Sequence, residues 1–527
     1  GNIECKAASS AAHIYGKPMT SAEAFTSSGQ TYKRHPALLK TRGDWSLTEG
    51  INHYVLTLYI HQPDDKRIPG INAWFGTEFN RHNTWFDQGE EWVDYLRRCQ
   101  GMLQRGKYAA DVAYFIGEDV PKMTGTREPE LPDGYSYDYI NAEVILERLS
   151  VEDGEFVLPN GITYKLLVLP DIKTMRPQVL GKIEELVKAG GTVLGPRPTH
   201  SPSLENYPEC DRQVNQIADR LWGEDYKEGK LVRHYGQGYL MAGTGIQEVF
   251  DEIGVEKDVD LQDEVPVLWT HRTLPGMEIY FFTNQSREAS VSISPSFRVE
   301  GLNPQLWNPV NGEIRSLNDY TRKDGRTTVP IELKAKESMF VVFTNQRNEN
   351  VDAGYAENFP EPQTLQTIKG DWKVDFKNKD IAPEEPVVWN QLKDWTDSEN
   401  DQIRYYSGTA TYTTQFTVEE IPEKSNLFLD LGEVGVMASA SLNGRDLGGV
   451  WVNPYVLPIN GKLKEGENTL EIKTVNTWRN KLVQEDPLPQ DERYTWGKVD
   501  DVEPDEELMP SGLLGPVTIE NISLLND

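Results

Sequence analysis

Apolar residues recur along this chain with two different spacings, and each spacing predicts a different element. Over 90–105, Trp92, Tyr95, Leu96, Cys99, Met102 and Leu103 follow the i, i+3, i+4, i+7 rule of a one-sided helix, with Gly106 as its stop. Upstream, the β-branched and aromatic run 54–60 suits a buried parallel strand, and 18–25 and 111–116 read as two more. The same α/β texture continues from 117 to 255. There 137–149 predicts an amphipathic helix and 164–169 a strand. Pro177 opens a helix carrying Val179, Leu180, Ile183, Leu186 and Val187, and Thr192-Val193-Leu194 is the next strand. Such a β-α-β crossover predicts a parallel sheet. Gly190-Gly191 follows its helix instead of opening one, so a C-cap is expected there, not a nucleotide-binding turn.

From 262 the period shortens. Strand-like runs (278–283, 289–294, 338–344) alternate with Asn311-Gly312 and Lys323-Asp324-Gly325 turns, predicting a small antiparallel β domain. The polar stretch 345–358 reads as a linker. Beyond 365 the chain is again all-β, with runs at 410–416, 427–431, 437–442 and 469–475 and an Asn443-Gly444 turn, which predicts a jelly-roll β-sandwich.

Composition narrows the class. With 527 residues, 38% of them hydrophobic, and 13 Trp, 23 Tyr and 16 Phe, several cores are expected and wholesale disorder is excluded. A net charge of −30 repels nucleic acid and anionic membrane surfaces, and no run approaches the length of a membrane span. Cys5, Cys99 and Cys210 are far apart, which argues against a disulfide framework or a zinc ribbon. The chain opens on Gly1 with no initiator Met and no leader-like segment, so either a leader has been removed or 1–527 is a piece of something longer.

Candidate chemistry crowds the N-terminal part. His13, His35, His53, His61 and His82 fall there, with Trp45, Trp74, Trp85 and Trp92. Aromatic faces stack on sugar C–H surfaces, and His, Asn and Arg bind hydroxyls, so a sugar site is expected at strand ends. His53, His61, Trp74, Asn83 and Trp85 are the candidate binding residues; core or rim positions are the plain alternative. Glu23, flanked by small residues at the expected end of a strand, is the candidate catalytic carboxylate, desolvated in a barrel mouth. A solvated carboxylate is its alternative. His53 and His61 are too far apart along an extended segment to share a metal. The acidic run 485–507 could chelate calcium through Asp500, Asp501, Glu503 and Asp505, but lacks EF-hand spacing and reads as a solvated loop.

Three motif groups carry a resemblance. Ser21-Ala22-Glu23-Ala24-Phe25-Thr26, then Gly50-Ile51-Asn52-His53 with His61-Gln62-Pro63, then Phe79-Asn80-Arg81-His82-Asn83-Thr84-Trp85, together resemble the last part of the catalytic barrel of glycoside hydrolase family 106. The tail, with 442–448, Trp451, Pro454-Tyr455, 466–470 and Asn476-Thr477-Trp478-Arg479-Asn480, resembles the galactose-binding-like sandwich that ends such enzymes. The resemblance implies an inverting α-L-rhamnosidase acting on plant cell-wall rhamnogalacturonans, exported or periplasmic in a bacterium, with calcium near the sugar hydroxyls. By motif position Glu23 would be the general base. The general acid would come from an N-terminal part of the same protein that precedes these residues, since only about half a barrel is visible. Glu49 and Glu78 read as loop residues and not as that acid, and Asn443 and Trp451 as structural at least as readily as sugar-binding.

The fold class expected is therefore multidomain α/β plus all-β: the C-terminal part of a (β/α)8 barrel (1–116), a flavodoxin-like parallel α/β domain (117–255), a small antiparallel β domain (262–345) and a galactose-binding-like jelly-roll β-sandwich (365–527). Two other readings stay open. One is a non-catalytic carbohydrate-binding or scaffold fragment; the other is a retaining barrel glycosidase of β-galactosidase type.

Overall fold

The computed structural model describes residues 2–523 apart from 120–124, 126, 347–350, 423–424, 498 and 504. Four residues of the expected 345–358 linker thus lie outside the described residues. The first part is helix α1 (Asn2–Tyr15), strand β1 (Ser21–Ala24), helix α2 (Pro36–Thr48), strand β2 (His53–Leu56) and helix α3 (Glu90–Leu103). Pro36 opens α2, where its missing N–H costs nothing. In α3 the six periodic apolar residues are all buried, and Gly106 follows at φ +61°. β2 is shorter than the run that predicted it, because Thr57 and Leu58 leave the strand direction to bond a later loop at Thr77.

The second layer is a six-stranded sheet in the order Leu231–Tyr235, Gly238–Ala242, Thr192–Leu194, Leu166–Val168, Val112–Phe115, Tyr137–Ile140. Its pairings are parallel except at the Leu231–Tyr235 edge. Apolar clusters cover both faces, one around Val179, Ile183 and Val187 of the Pro177–Lys188 helix and one around Val249 and Phe250. Two expectations fail here. Val112–Phe115 lies inside this sheet and not at the end of the first part. The stretch 137–149 is not one helix: Tyr137–Ile140 pairs with Val112–Phe115, and Asn141 then accepts the Val144 N–H at 3.0 Å to cap the short helix Ala142–Glu147. The strand wins through its pairing with Val112–Phe115, and its Asp138 faces α1, where it accepts from Ser10 (2.9 Å) and lies 2.9 Å from His13 Nδ1, while also accepting from Tyr164 (2.9 Å).

The antiparallel part is built on a second six-stranded sheet, centred on Ser338–Thr344 and Met277–Asn284, whose far edge recruits Lys107–Tyr108. It is locked to the first part by a buried polar knot. Lys40 Nζ lies 2.5 Å from Asp44 Oδ2 and 2.6 Å from Ser338 Oγ, Thr283 donates to Asp44 at 3.0 Å, and Tyr95 donates to Asp44. The C-terminal part is a sandwich of a six-stranded and a four-stranded sheet, predominantly antiparallel, with Trp372, Trp395 and Tyr412 among its buried side chains. Tyr32, from the loop after β1, is packed into that same core. No helix among the described residues is long and apolar enough to cross a membrane, and the three cysteines are free.

Candidate active site

β1 and β2 run in parallel, with Ser21 opposite His53 and Glu23 opposite Val55. Their side chains alternate between two environments. Ala22, Ala24, Tyr54 and Leu56 turn to the apolar core shared with α2 and α3. Ser21, Glu23, His53 and Val55 share the other face. Parallel strands are ordinarily covered on both faces, yet Val55 is 51% exposed.

This open face carries the polar chemistry. Thr26 Oγ1 donates to Glu23 Oε1 at 2.8 Å, and Ser21 Oγ lies 3.0 Å from His53 Nδ1. At the C-terminal ends of the strands, three segments are knitted together. Thr57 N–H donates to the Ala24 carbonyl (3.0 Å), Leu58 N–H to Thr77 (2.7 Å), Gly76 N–H to Ser27 (2.6 Å), and Thr77 Oγ1 to Phe25 (3.1 Å). Trp74, beside this knot, is 79% exposed, its ring edge-on to Phe75 at 4.8 Å. His61 is also exposed.

Glu23, His53, His61 and Trp74 are thus solvent-accessible, but Glu23 is not desolvated within this chain. Among the described residues β1 and β2 form a sheet of their own, so nothing covers the carboxylate. Two predicted binding residues are corrected. Asn83 is buried and donates to the Glu78 carbonyl at 2.8 Å, closing a turn. Trp85 is 3% exposed and packs edge-on against Phe79 and Trp92, so its ring is core and not a sugar platform.

Among the described residues neither Glu78 nor Glu49 is hydrogen-bonded to Glu23. Glu78 lies 3.3 Å from Arg34 and accepts the Tyr32 N–H at 3.2 Å; burial pushes its carboxyl up, partly offset by Arg34. Glu49, raised by burial, follows α2 at the opposite end of the strands. It lines a cleft of about 760 Å³ with Lys6, Tyr137 and Trp269. Neither that cleft nor a second of about 460 Å³ beside Asp111 and Arg298 contains Glu23.

The acidic run is not simply solvated. Asp501 and Glu506 both pair with Arg479, at 3.1 and 2.5 Å, and buried Glu485 accepts from Thr495 N–H and Oγ1 at 2.9 and 2.6 Å. Lys498 of this run lies outside the described residues. Among the described residues no three His, Cys, Asp or Glu side chains gather as a metal cluster, and no step is derived through calcium. Asn443 bonds Lys462, Asn468 and Thr469, and Trp451 is buried against Tyr95, so both are structural. Sequence reasoning missed Thr26, Tyr32 and Arg479, although Thr26 and Arg479 stand inside the motifs quoted for the resemblance.

Comparison with known proteins decides the kinship. The family model described as alpha-L-rhamnosidase, glycoside hydrolase family 106, matches residues 1–322. The chain belongs to this family. A second model, a glycosyl hydrolase 2 galactose-binding-like domain, matches residues 388–507, within the sandwich. A solved rhamnosidase from Novosphingobium sp. PP1Y superposes with a TM-score of 0.88 at 33% identity, over 98% of this chain and 48% of that one. A curated relative from Formosa agariphila, named "Putative beta-glucuronidase", is 28% identical over 98% of this chain and 64% of its own length. The family 106 chain described here therefore spans about half of the solved relative and less than two thirds of the curated one.

Proposed function

We propose that this chain supplies one wall of the active site of an inverting α-L-rhamnosidase that acts on rhamnogalacturonan-type plant cell-wall glycans, with Glu23 as general base. The observation that carries the reading is the uncovered face of the β1–β2 pair, where a carboxylate, an imidazole and an apolar Val55 stand open on strands of a kind normally enclosed. Two parallel strands joined through α2, with helices on one face only, are what an incomplete (β/α)8 barrel presents. Its remaining strands, and the general acid, belong in this reading to residues outside 1–527. An exported location goes with the same reading.

The chemistry assigned to Glu23 is specific. Its ionised carboxylate takes a proton from a water on the face of the sugar opposite the leaving group, while the partner carboxylic acid protonates the glycosidic oxygen. The water's oxygen forms the new bond to the anomeric carbon as the glycosidic bond breaks, and the configuration inverts. That geometry needs the two carboxyls roughly 6.5–9.5 Å apart. Thr26, donating to Oε1, leaves Oε2 for the water. In this reading the accessible His53 and Trp74 meet hydroxyls and a sugar face.

The test uses the complete polypeptide carrying this chain. With an aryl α-L-rhamnoside, Glu23→Gln lowers turnover by about 10³-fold or more while the melting transition stays put. Following the anomer first released distinguishes inversion from retention. Faster cleavage of an aryl β-D-glucuronide or β-D-galactoside overturns the substrate assignment, and near-normal turnover by Glu23→Gln overturns the mechanism. The 527-residue chain by itself is expected to be inactive, since Glu23 then faces only water.

A further inference from the structure

The loop that follows β1 is gripped by the C-terminal sandwich. Arg479, 3% exposed, reaches out of the sandwich and donates through Nη1 to the Thr31 carbonyl at 3.1 Å. The same guanidinium holds Asp501 (Nη1–Oδ1, 3.1 Å; Nη2 to its carbonyl, 2.6 Å) and Glu506 (Nε–Oε1, 2.8 Å). Asp501 Oδ2 in turn accepts the Thr31 N–H at 2.8 Å, and Lys33 Nζ lies 3.1 Å from Glu506. Thr31 is therefore bonded through both its N–H and its carbonyl to one Arg–Asp unit, and the next side chain, Tyr32, is sunk in the sandwich core.

The grip extends to the neighbouring loops. The backbone at Trp496 bonds Ile68 and Gly70 (2.6 and 2.9 Å), and Trp478 Nε1 donates to the His82 carbonyl at 2.7 Å. On its inner side the 25–34 segment is held by Gly76 and Thr77 and by Arg34, which bonds the Gly29 and Gly76 carbonyls. The inner contacts hold Phe25 and Ser27 on either side of Thr26, the residue hydrogen-bonded to Glu23, and the outer contact holds the same loop at Thr31.

We infer that Arg479 is a positioning residue of the active site: through Thr31 and Asp501 it fixes the loop that sets Thr26 against Glu23, so the sandwich serves catalysis as the back plate of the catalytic loop. The inference rests on Glu23 being the base. Its physical ground is the steep penalty for misplacing a reacting group, where about 1 Å costs around 10²-fold. A planar guanidinium can hold two carboxylates and a carbonyl in one plane; a lysine ammonium cannot.

The experiment compares three variants of the complete polypeptide on an aryl α-L-rhamnoside, well below every melting transition. Arg479→Gln is expected to lower kcat by about 10- to 100-fold with KM changed less than about threefold. Leu470→Ala, which opens a cavity in the sandwich core at a residue paired with Thr414 and Leu442 and bonded to neither Arg479 nor the 25–34 segment, lowers the melting temperature but leaves kcat within about twofold. Should Arg479→Gln not fold, Arg479→Lys keeps the charge beside Asp501 and Glu506 without the reach to Thr31, and a roughly tenfold loss of kcat is expected. Unchanged kcat in the folded Arg479 variant overturns the inference, as does an equal loss in Leu470→Ala. Glu23→Gln separates the two levels: an active Glu23→Gln removes the base and this inference with it, whereas an inactive Glu23→Gln beside a fully active Arg479 variant removes the inference alone.

Discussion

Asp258 and His271 form a buried pair in the antiparallel part, with Oδ2 2.8 Å from Nδ1, while Glu278 lies 3.0 Å from the other ring nitrogen. Burial by itself would favour the neutral ring, but Asp258 and then Glu278 outweigh it and lift the imidazole to about 9. A pKa raised on folding stabilises fully below the unfolded value, near 6.5, and the gain is lost as pH rises through about 9. The stability gap between the parent and His271→Gln should therefore be widest at pH 6 and narrow by pH 10, as read from urea midpoints. A constant gap over that range would show that the pair does not titrate this way.

Glu506 behaves with the opposite sign. Burial pushes its carboxyl up, but Arg479 and Lys33 outweigh that and bring it down to about 2. The resulting stabilisation is present above the unfolded value, near 4.5, and fades as pH falls toward 2. Glu506→Gln should lose stability at pH 6 and converge on the parent between pH 4 and 2, followed by tryptophan fluorescence.

The Lys40–Asp44 knot joins α2 to the antiparallel sheet with both side chains nearly inaccessible. Asp44→Ala leaves a buried ammonium uncompensated and should cost about 3–5 kcal/mol in denaturant unfolding. Lys40→Met combined with Asp44→Leu should recover much of that loss. Equal losses in the single and double variants would mean that packing, not charge, dominates there.

Two tryptophans near the site should respond in opposite ways. Trp85→Ala empties a core position and is expected to cost about 3–5 kcal/mol of stability. Trp74→Ala should change stability by less than about 0.5 kcal/mol but raise KM about tenfold in the complete polypeptide, equivalent to about 1.4 kcal/mol of lost binding. Isothermal unfolding and steady-state kinetics on both variants check the contrast.

Local periodicity made some elements readable and hid others. α3 and the Pro177–Lys188 helix were legible because their apolar stripes are long and their stops are glycines. The 137–149 stretch was not, because four residues of strand and six of helix share one run of apolar and aromatic positions, and the choice was made by Val112–Phe115, a distant partner. Glu23, His53 and Trp74 were chosen from residue type near expected strand ends, and the structure leaves all three accessible. Asn83 and Trp85 misled because a polar-aromatic loop looks alike whether it faces sugar or anchors itself. The acidic run hid its role for another reason: its counter-charge, Arg479, sits in a different motif, and Lys33 is hundreds of residues away.

The burial of Tyr32 in the sandwich has a practical consequence for anyone who would dissect this molecule. A protease that nicks the connection between the antiparallel sheet and the sandwich would sever the covalent link without freeing two soluble halves, because the downstream piece still clasps an aromatic plug from the upstream one. The nicked species should co-elute as a single particle on gel filtration and come apart only when the sandwich itself melts.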